Sequence, residues 1–79
     1  ALELSKTEQK LLRLLVMNAG QILPRELLME RIWGSDEFVD ENALSVAVRR
    51  LRQKLEQTPS LPKHIMTAYG IGYGWEVTS

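Results

Sequence analysis

Val39-Asp40-Glu41-Asn42-Ala43-Leu44-Ser45-Val46-Ala47-Val48-Arg49-Arg50-Leu51-Arg52-Gln53-Lys54-Leu55-Glu56 is the stretch, residues 39–56, from which the fold of this chain can be read. Leu44, Val48, Leu51 and Leu55 recur at steps of four, three and four, the spacing of one stripe of an amphipathic helix. At about 100° per residue these positions fall within roughly 60° of one another. The opposite arc carries Asn42, Ser45, Val46, Arg49, Arg50 and Gln53, with Arg52 nearer the flank. A solvated basic helix accounts for the arginines, but gives no reason for a valine between a serine and two arginines. A helix entering the major groove of DNA does give one. Forked guanidinium donors suit guanine edges and phosphates, an amide suits adenine, and a small apolar group suits the thymine methyl. The helix alone leaves both readings open, so its neighbours must decide.

Upstream, Asp40 is placed to cap this helix, and Phe38 or Val39 to staple its start. Gly34-Ser35-Asp36-Glu37 reads as an exposed acidic loop. Before it, Leu27, Leu28, Ile32 and Trp33 mark the buried side of a second helix, about residues 24–33, with Pro24 in the first turn, where its missing N–H is no loss. Gln21-Ile22-Leu23 is long enough for one bridging strand. Ser5-Lys6-Thr7-Glu8 is a capping box that opens a first helix over about 6–18, with Leu11, Leu12 and Leu15 on its apolar face. Asn18-Ala19-Gly20 supplies its stop. Ala1-Leu2-Glu3-Leu4 alternates like the end of a strand, which leads us to expect an excised piece of a longer protein.

Downstream, residues 57–63 contain Pro59 and Pro62 and form a connector. Residues 64–69 and 73–77 alternate like two strands, with Ile65, Thr67 and Tyr69 in one and Tyr73, Trp75 and Val77 in the other. Gly70-Ile71-Gly72 lies between them, the glycines supplying positive φ at a hairpin tip. The order is helix, short strand, helix, loop, long helix, hairpin. This predicts an α+β fold, a winged helix-turn-helix of three helices and a small antiparallel sheet whose C-terminal hairpin is the wing. A basic third helix, a second helix before it and a hairpin beside it form one surface for docking DNA.

Composition narrows the function further. The 79 residues allow one small domain. Ten Lys/Arg and ten Asp/Glu cancel, but not evenly along the chain. Residues 1–41 hold five cations and eight carboxylates, residues 42–79 five cations and two carboxylates, and four of these last cations fall between 49 and 54. The distribution defines a basic face where the sum does not. No cysteine is present, which excludes a disulfide framework and fits a cytoplasmic setting. No apolar run approaches the roughly 18 residues of a membrane span. His64 has no partner at ligand spacing, and no nucleophile has a base beside it in any recognisable motif, so we expect no metal, cofactor or catalysis. Gly70-Ile71-Gly72 lacks the third glycine and the following helix of a phosphate loop.

Several residues admit two readings. Arg49 and Arg50 face different sides of the arc, so one can reach bases while the other lies nearer a phosphate. Arg52 and Lys54 suit phosphate oxygens or are simply solvated, and Glu56 is placed to pair with Arg52 across one turn. Trp33 and Trp75 have the volume of core residues, yet the Trp33 indole also lies where a phosphate could be reached. Ile71 at the hairpin tip either inserts near the minor groove or is a tolerated surface residue.

Four segments together resemble the DNA-binding effector domain of the OmpR/PhoB class of bacterial two-component response regulators. They are Leu4-Ser5-Lys6-Thr7-Glu8 with Leu11, Leu12 and Leu15; Arg25-Glu26-Leu27-Leu28 with Ile32-Trp33-Gly34; Val48-Arg49-Arg50-Leu51-Arg52-Gln53-Lys54-Leu55-Glu56; and Thr67 with Gly70-Ile71-Gly72-Tyr73. The resemblance implies that Asn42, Ser45, Val46, Arg49 and Arg50 read the major groove, and that Trp33, Arg52, Thr67 and Tyr73 hold the backbone. It implies further that residues 34–40 approach RNA polymerase, and that a phosphate-accepting receiver domain and a cognate histidine kinase complete the system on direct repeats of promoter DNA. Two positions depart from the pattern. Tyr69 stands where relatives often carry a minor-groove arginine, and Pro24 stands where a small residue commonly caps the second helix. The family's four-stranded N-terminal sheet has no counterpart beyond residues 2–4, so a trimmed domain is expected. The competing reading is a winged-helix protein-interaction module, which net neutrality and the acidic first half favour.

Overall fold

A computed structural model describes residues 3–34, 39–56 and 63–77, except for the side chain of Glu41. The elements run α1 (Lys6–Met17), β1 (Ile22–Pro24), α2 (Arg25–Trp33), α3 (Glu41–Leu55), β2 (Ile65–Ala68) and β3 (Gly72–Trp75). Ala1 and Leu2 of the expected N-terminal strand lie outside the described residues, and Glu3 and Leu4 are not in a strand. Phe38, most of the acidic loop and most of the 57–63 connector also lie outside them.

Each helix starts and stops on local chemistry. Ser5 Oγ accepts from the Glu8 backbone N–H at 3.2 Å and donates its own proton to Glu8 Oε1 at 3.0 Å, so the glutamate closes the box on the serine hydroxyl. Asn18 ends α1 with its side-chain amide, Nδ2 donating to Leu14 O at 2.8 Å; Gly20 takes positive φ two residues later. Pro24 is not in the first turn of α2. It is the last residue of β1 and the N-cap of α2, and gives no side-chain bond there. Its lack of an N–H is harmless because β1 is an edge strand. Asp40 caps α3 by accepting from Asn42 N–H at 3.1 Å.

The sheet is antiparallel in the order β1-β3-β2. Leu23, Tyr73 and Thr67 form one cross-strand row, and Pro24, Gly72 and Ala68 the next. The two tip glycines serve different ends. Gly70 has φ +79° and occupies the third position of the turn closed by Ile71 N–H on Ala68 O, where positive φ is required. Gly72 is a strand residue, and a Cβ on it would lie 1.8 Å from Leu23 O. It is glycine because β1 passes too close for any side chain.

Leu44, Ala47, Val48 and Leu51 turn the inner stripe of α3 onto Leu11 and Leu15 of α1, Leu28 and Ile32 of α2, and Leu23, Ile65 and Tyr73 of the sheet. Burying each leucine there contributes about 1.5–3 kcal/mol relative to exposure. Lys10 Nζ donates to Ile32 O at 3.3 Å, and Arg25 N–H to Ile71 O at 3.1 Å. The second of these ties the wing tip to the start of α2. The core and these ties leave the polar arc of α3 facing outward beside the wing.

Candidate nucleic-acid interface

The outer arc of α3 is open along its length. Asn42, Ser45, Val46, Arg49, Arg50 and Gln53 are all exposed, and Val46 keeps 41 % of its surface in solvent although it is apolar. The two arginines lie on either side of this ridge. Arg50 and Val46 border a cleft shared with Trp33, Thr7 and Ser5, at the junction of α1, α2 and α3. Arg49, Ser45 and Gln53 border a second cleft, between α3 and the wing, with Thr67, Tyr69 and Tyr73 on its far side. Trp33 is half-buried, so it belongs to the core margin and to the first cleft at once.

The four residues expected on the DNA backbone are distributed unevenly. Trp33 stands alone at one end. Arg52, Thr67 and Tyr73 meet at the other, where Arg52 Nη2 donates to Thr67 Oγ1 and to Ile65 O at 3.0 Å. The Arg52 guanidinium also lies over the Tyr73 ring, 6.0 Å from its centroid. Tyr73 is a core residue, and Thr67 is half-buried. Tyr69 is 92 % exposed and Ile71 59 % exposed, so the wing tip presents an aromatic and an aliphatic side chain. No residue from 65 to 75 is charged.

Glu56 does not pair with Arg52. Its carboxylate turns back and accepts from the backbone N–H groups of Ile65 at 2.8 Å, His64 at 2.9 Å and Lys63 at 3.0 Å. Burial pushes this carboxyl up, and the three N–H donors outweigh burial, leaving it below the usual carboxylate range. Lys54 does not stand free. Its Nζ lies 2.6 Å from Glu8 Oε2 and donates to Glu3 O at 2.9 Å, pinning α3 to the start of α1. The Lys54 bond holds the buried Glu8 carboxyl below its ordinary value, against the opposing effect of burial. His64 stacks on Trp75 with ring centroids 5.4 Å apart. Among the described residues, no group of three or more His, Cys, Asp or Glu is arranged to hold a metal, and no helix is long and apolar enough to cross a membrane.

An outward-facing basic ridge on the third helix, flanked by a hairpin on one side and a helix junction on the other, defines a winged helix-turn-helix of the DNA-binding class. The chain belongs to the family described as transcriptional regulatory protein, C terminal, the DNA-binding domain of OmpR/PhoB response regulators, whose family model matches residues 1–75. It is similar to the response regulator DrrB of Thermotoga maritima, an OmpR/PhoB homolog, at 32 % identity and TM-score 0.87, over 95 % of this chain and 34 % of that one. The DNA-binding domain of Bacillus subtilis CssR matches at 32 % identity and TM-score 0.80, over 92 % of this chain and 77 % of that one. The Klebsiella pneumoniae RstA DNA-binding domain, solved in complex with the RstA box, matches at 31 % identity and TM-score 0.82, over 94 % of this chain and 73 % of that one. The chain thus spans about a third of the length of DrrB and most of the isolated domains.

Proposed function

We propose that this chain binds promoter DNA sequence-specifically as the effector domain of a two-component response regulator, α3 lying in the major groove and the wing, residues 64–77, on the backbone and minor groove. The observation that carries this reading is the exposed arc of α3, where Asn42, Ser45, Val46, Arg49 and Arg50 stand together outside the core. Arg49 and Arg50 supply forked donors for guanine, Asn42 an amide for adenine, Ser45 a hydroxyl for either, and Val46 an apolar contact for a thymine methyl. Trp33 and the Thr67–Tyr73 end of the wing hold phosphates at the two ends of the helix and so set its register. Membership of the family and the DNA complex of the related RstA domain support the partner. The domain acts by binding alone, without catalysis or cofactor.

In the whole regulator we assign a phosphate-accepting receiver domain answering to a histidine kinase, a cytoplasmic setting, and paired binding to direct repeats. Two domains held together on two half-sites gain affinity through effective concentration. Contact with RNA polymerase falls to residues 34–40, of which 35–38 lie outside the described residues. Enrichment of bound fragments from a genomic pool, followed by sequencing, tests the reading. A recurring motif bound in a salt-sensitive manner is expected. Absence of salt-sensitive binding would leave the protein-interaction module in its place.

A further inference from the structure

Arg52 and Glu56 stand one turn apart on α3, the spacing at which opposite charges pair across a helix, and both are turned instead onto one residue of β2. Glu56 takes the N–H of Ile65, and Arg52 takes its C=O. Arg52 also holds Thr67 two residues along, and Glu56 also holds His64 one residue before. The Ile65 side chain is fully buried, so the strand is fixed from the helix on one side and from the core on the other. Arg52 lines the cleft between α3 and the wing but is half-buried there, with Nε enclosed and one face over Tyr73. The wing has no charge between 65 and 75 with which to find a duplex by itself. Its position relative to α3 is set by these bonds, together with the pairing of β3 with β1 and the Arg25–Ile71 tie to α2.

We infer that Arg52 and Glu56 are positioning residues for DNA recognition, fixing the wing against the base-reading helix so that the two meet the duplex as one rigid reader. This rests on the DNA-binding function proposed above. Because these bonds already hold the wing on α3 in the free domain, association does not bear the entropy of placing it there. Loosening it should therefore weaken binding and blur preference at base pairs under the wing, without altering how many phosphates are neutralised.

The test titrates the wild type, Arg52→Met and Glu56→Gln against the duplex recovered by enrichment, and against one altered only under the wing, over a range of salt. Each variant is expected to lose at least fivefold in affinity and most of its discrimination between the duplexes, with the wild-type salt slope retained. Amide hydrogen exchange at Ile65 should quicken in the free variants while Leu11 and Leu15 stay protected. Removing the Glu56 charge by itself favours a polyanion, so a loss of affinity in Glu56→Gln is a signature of positioning. A salt slope lower by about one in Arg52→Met, with discrimination kept, would make Arg52 a phosphate ligand and overturn the inference. Wild-type affinity in both variants would overturn it equally. If Arg52→Met fails to fold, Glu56→Gln decides. If the wild type binds no DNA, it is the proposed function that fails, and unchanged exchange at Ile65 in Glu56→Gln would separately refute the bracket.

Discussion

Gly72→Ala is expected to damage the fold far more than Gly70→Ala, although only Gly70 has a backbone conformation that disfavours alanine. At Gly70 the new methyl would meet nothing within 4 Å, so the penalty is the left-handed strain alone, about 1 kcal/mol. At Gly72 the methyl would lie 1.8 Å from Leu23 O, 2.8 Å from Leu23 C and 3.1 Å from Pro24 Cα. All three are backbone atoms, which cannot rotate aside, so β1 must retreat by about an ångström. Two ladder hydrogen bonds are then lost at about 1 kcal/mol each. Partial exposure of Leu23, now 6 % exposed, adds about another 1 kcal/mol. The sum, about 3 kcal/mol, approaches the whole stability of a domain this small, roughly 3–5 kcal/mol. Thermal unfolding followed by circular dichroism should place Gly72→Ala roughly 12–24 °C below the wild type, at about 4–8 °C per kcal/mol. Gly70→Ala should fall by a third of that. An equal or smaller drop for Gly72→Ala would refute the close approach of β1 and return both glycines to the turn.

Glu8 and Glu56 both have carboxyls held below the ordinary 4.5, so the unfolded chain binds more protons in the acid range. Their contribution is complete above about pH 4.5 and is lost as pH falls through the folded values. Unfolding free energy measured in denaturant should decline with acidification below that pH, less steeply in Glu56→Gln; equal slopes would show that Glu56 is not held charged. Lys54→Met leaves Glu8 buried without its cation, but Lys54 is 35 % exposed and solvent screens the pair, so a loss of about 1–2 kcal/mol is expected. Its DNA salt slope should match the wild type, and a lower slope would return Lys54 to the phosphates. Tyr69→Ala should change stability by less than about 0.5 kcal/mol because the side chain is 92 % exposed. A larger change in the melt would mean that the wing tip packs on the protein.

The helices, their order and the hairpin were legible because each rests on a pattern local to its own segment. The α3 stripe repeats with the helical period, Ser5 and Asp40 are cap residues in cap positions, and the glycine pair marks a reversal of the chain. The outer arc was legible because Val46 has no reason to be on a solvated helix. What escaped the sequence depends on approach between distant segments. Gly72 is required by Leu23, and nothing near Gly72 announces it. Lys54 is claimed by Glu8 on α1, and its place among four cations made it look like part of the basic face. Glu56 invites pairing with the arginine one helical turn before it because side-chain charges are visible in a sequence and backbone N–H donors are not. The three donors of residues 63–65 outnumber the one arginine. The same blind spot hid the commitment of Arg52, whose partners Ile65 and Thr67 lie beyond the connector.

The central claim is that the outer arc of α3 reads bases. It is tested most directly by the affinities of the wild type, Arg49→Ala and Arg50→Ala for a cognate duplex and for a scrambled duplex of equal length, all at one salt concentration. At least one of the two substitutions is expected to cost about 1–3 kcal/mol on the cognate site and much less on the scrambled one. Equal losses on both duplexes from both substitutions would contradict it, because the ridge would then be neutralising phosphates and reading nothing.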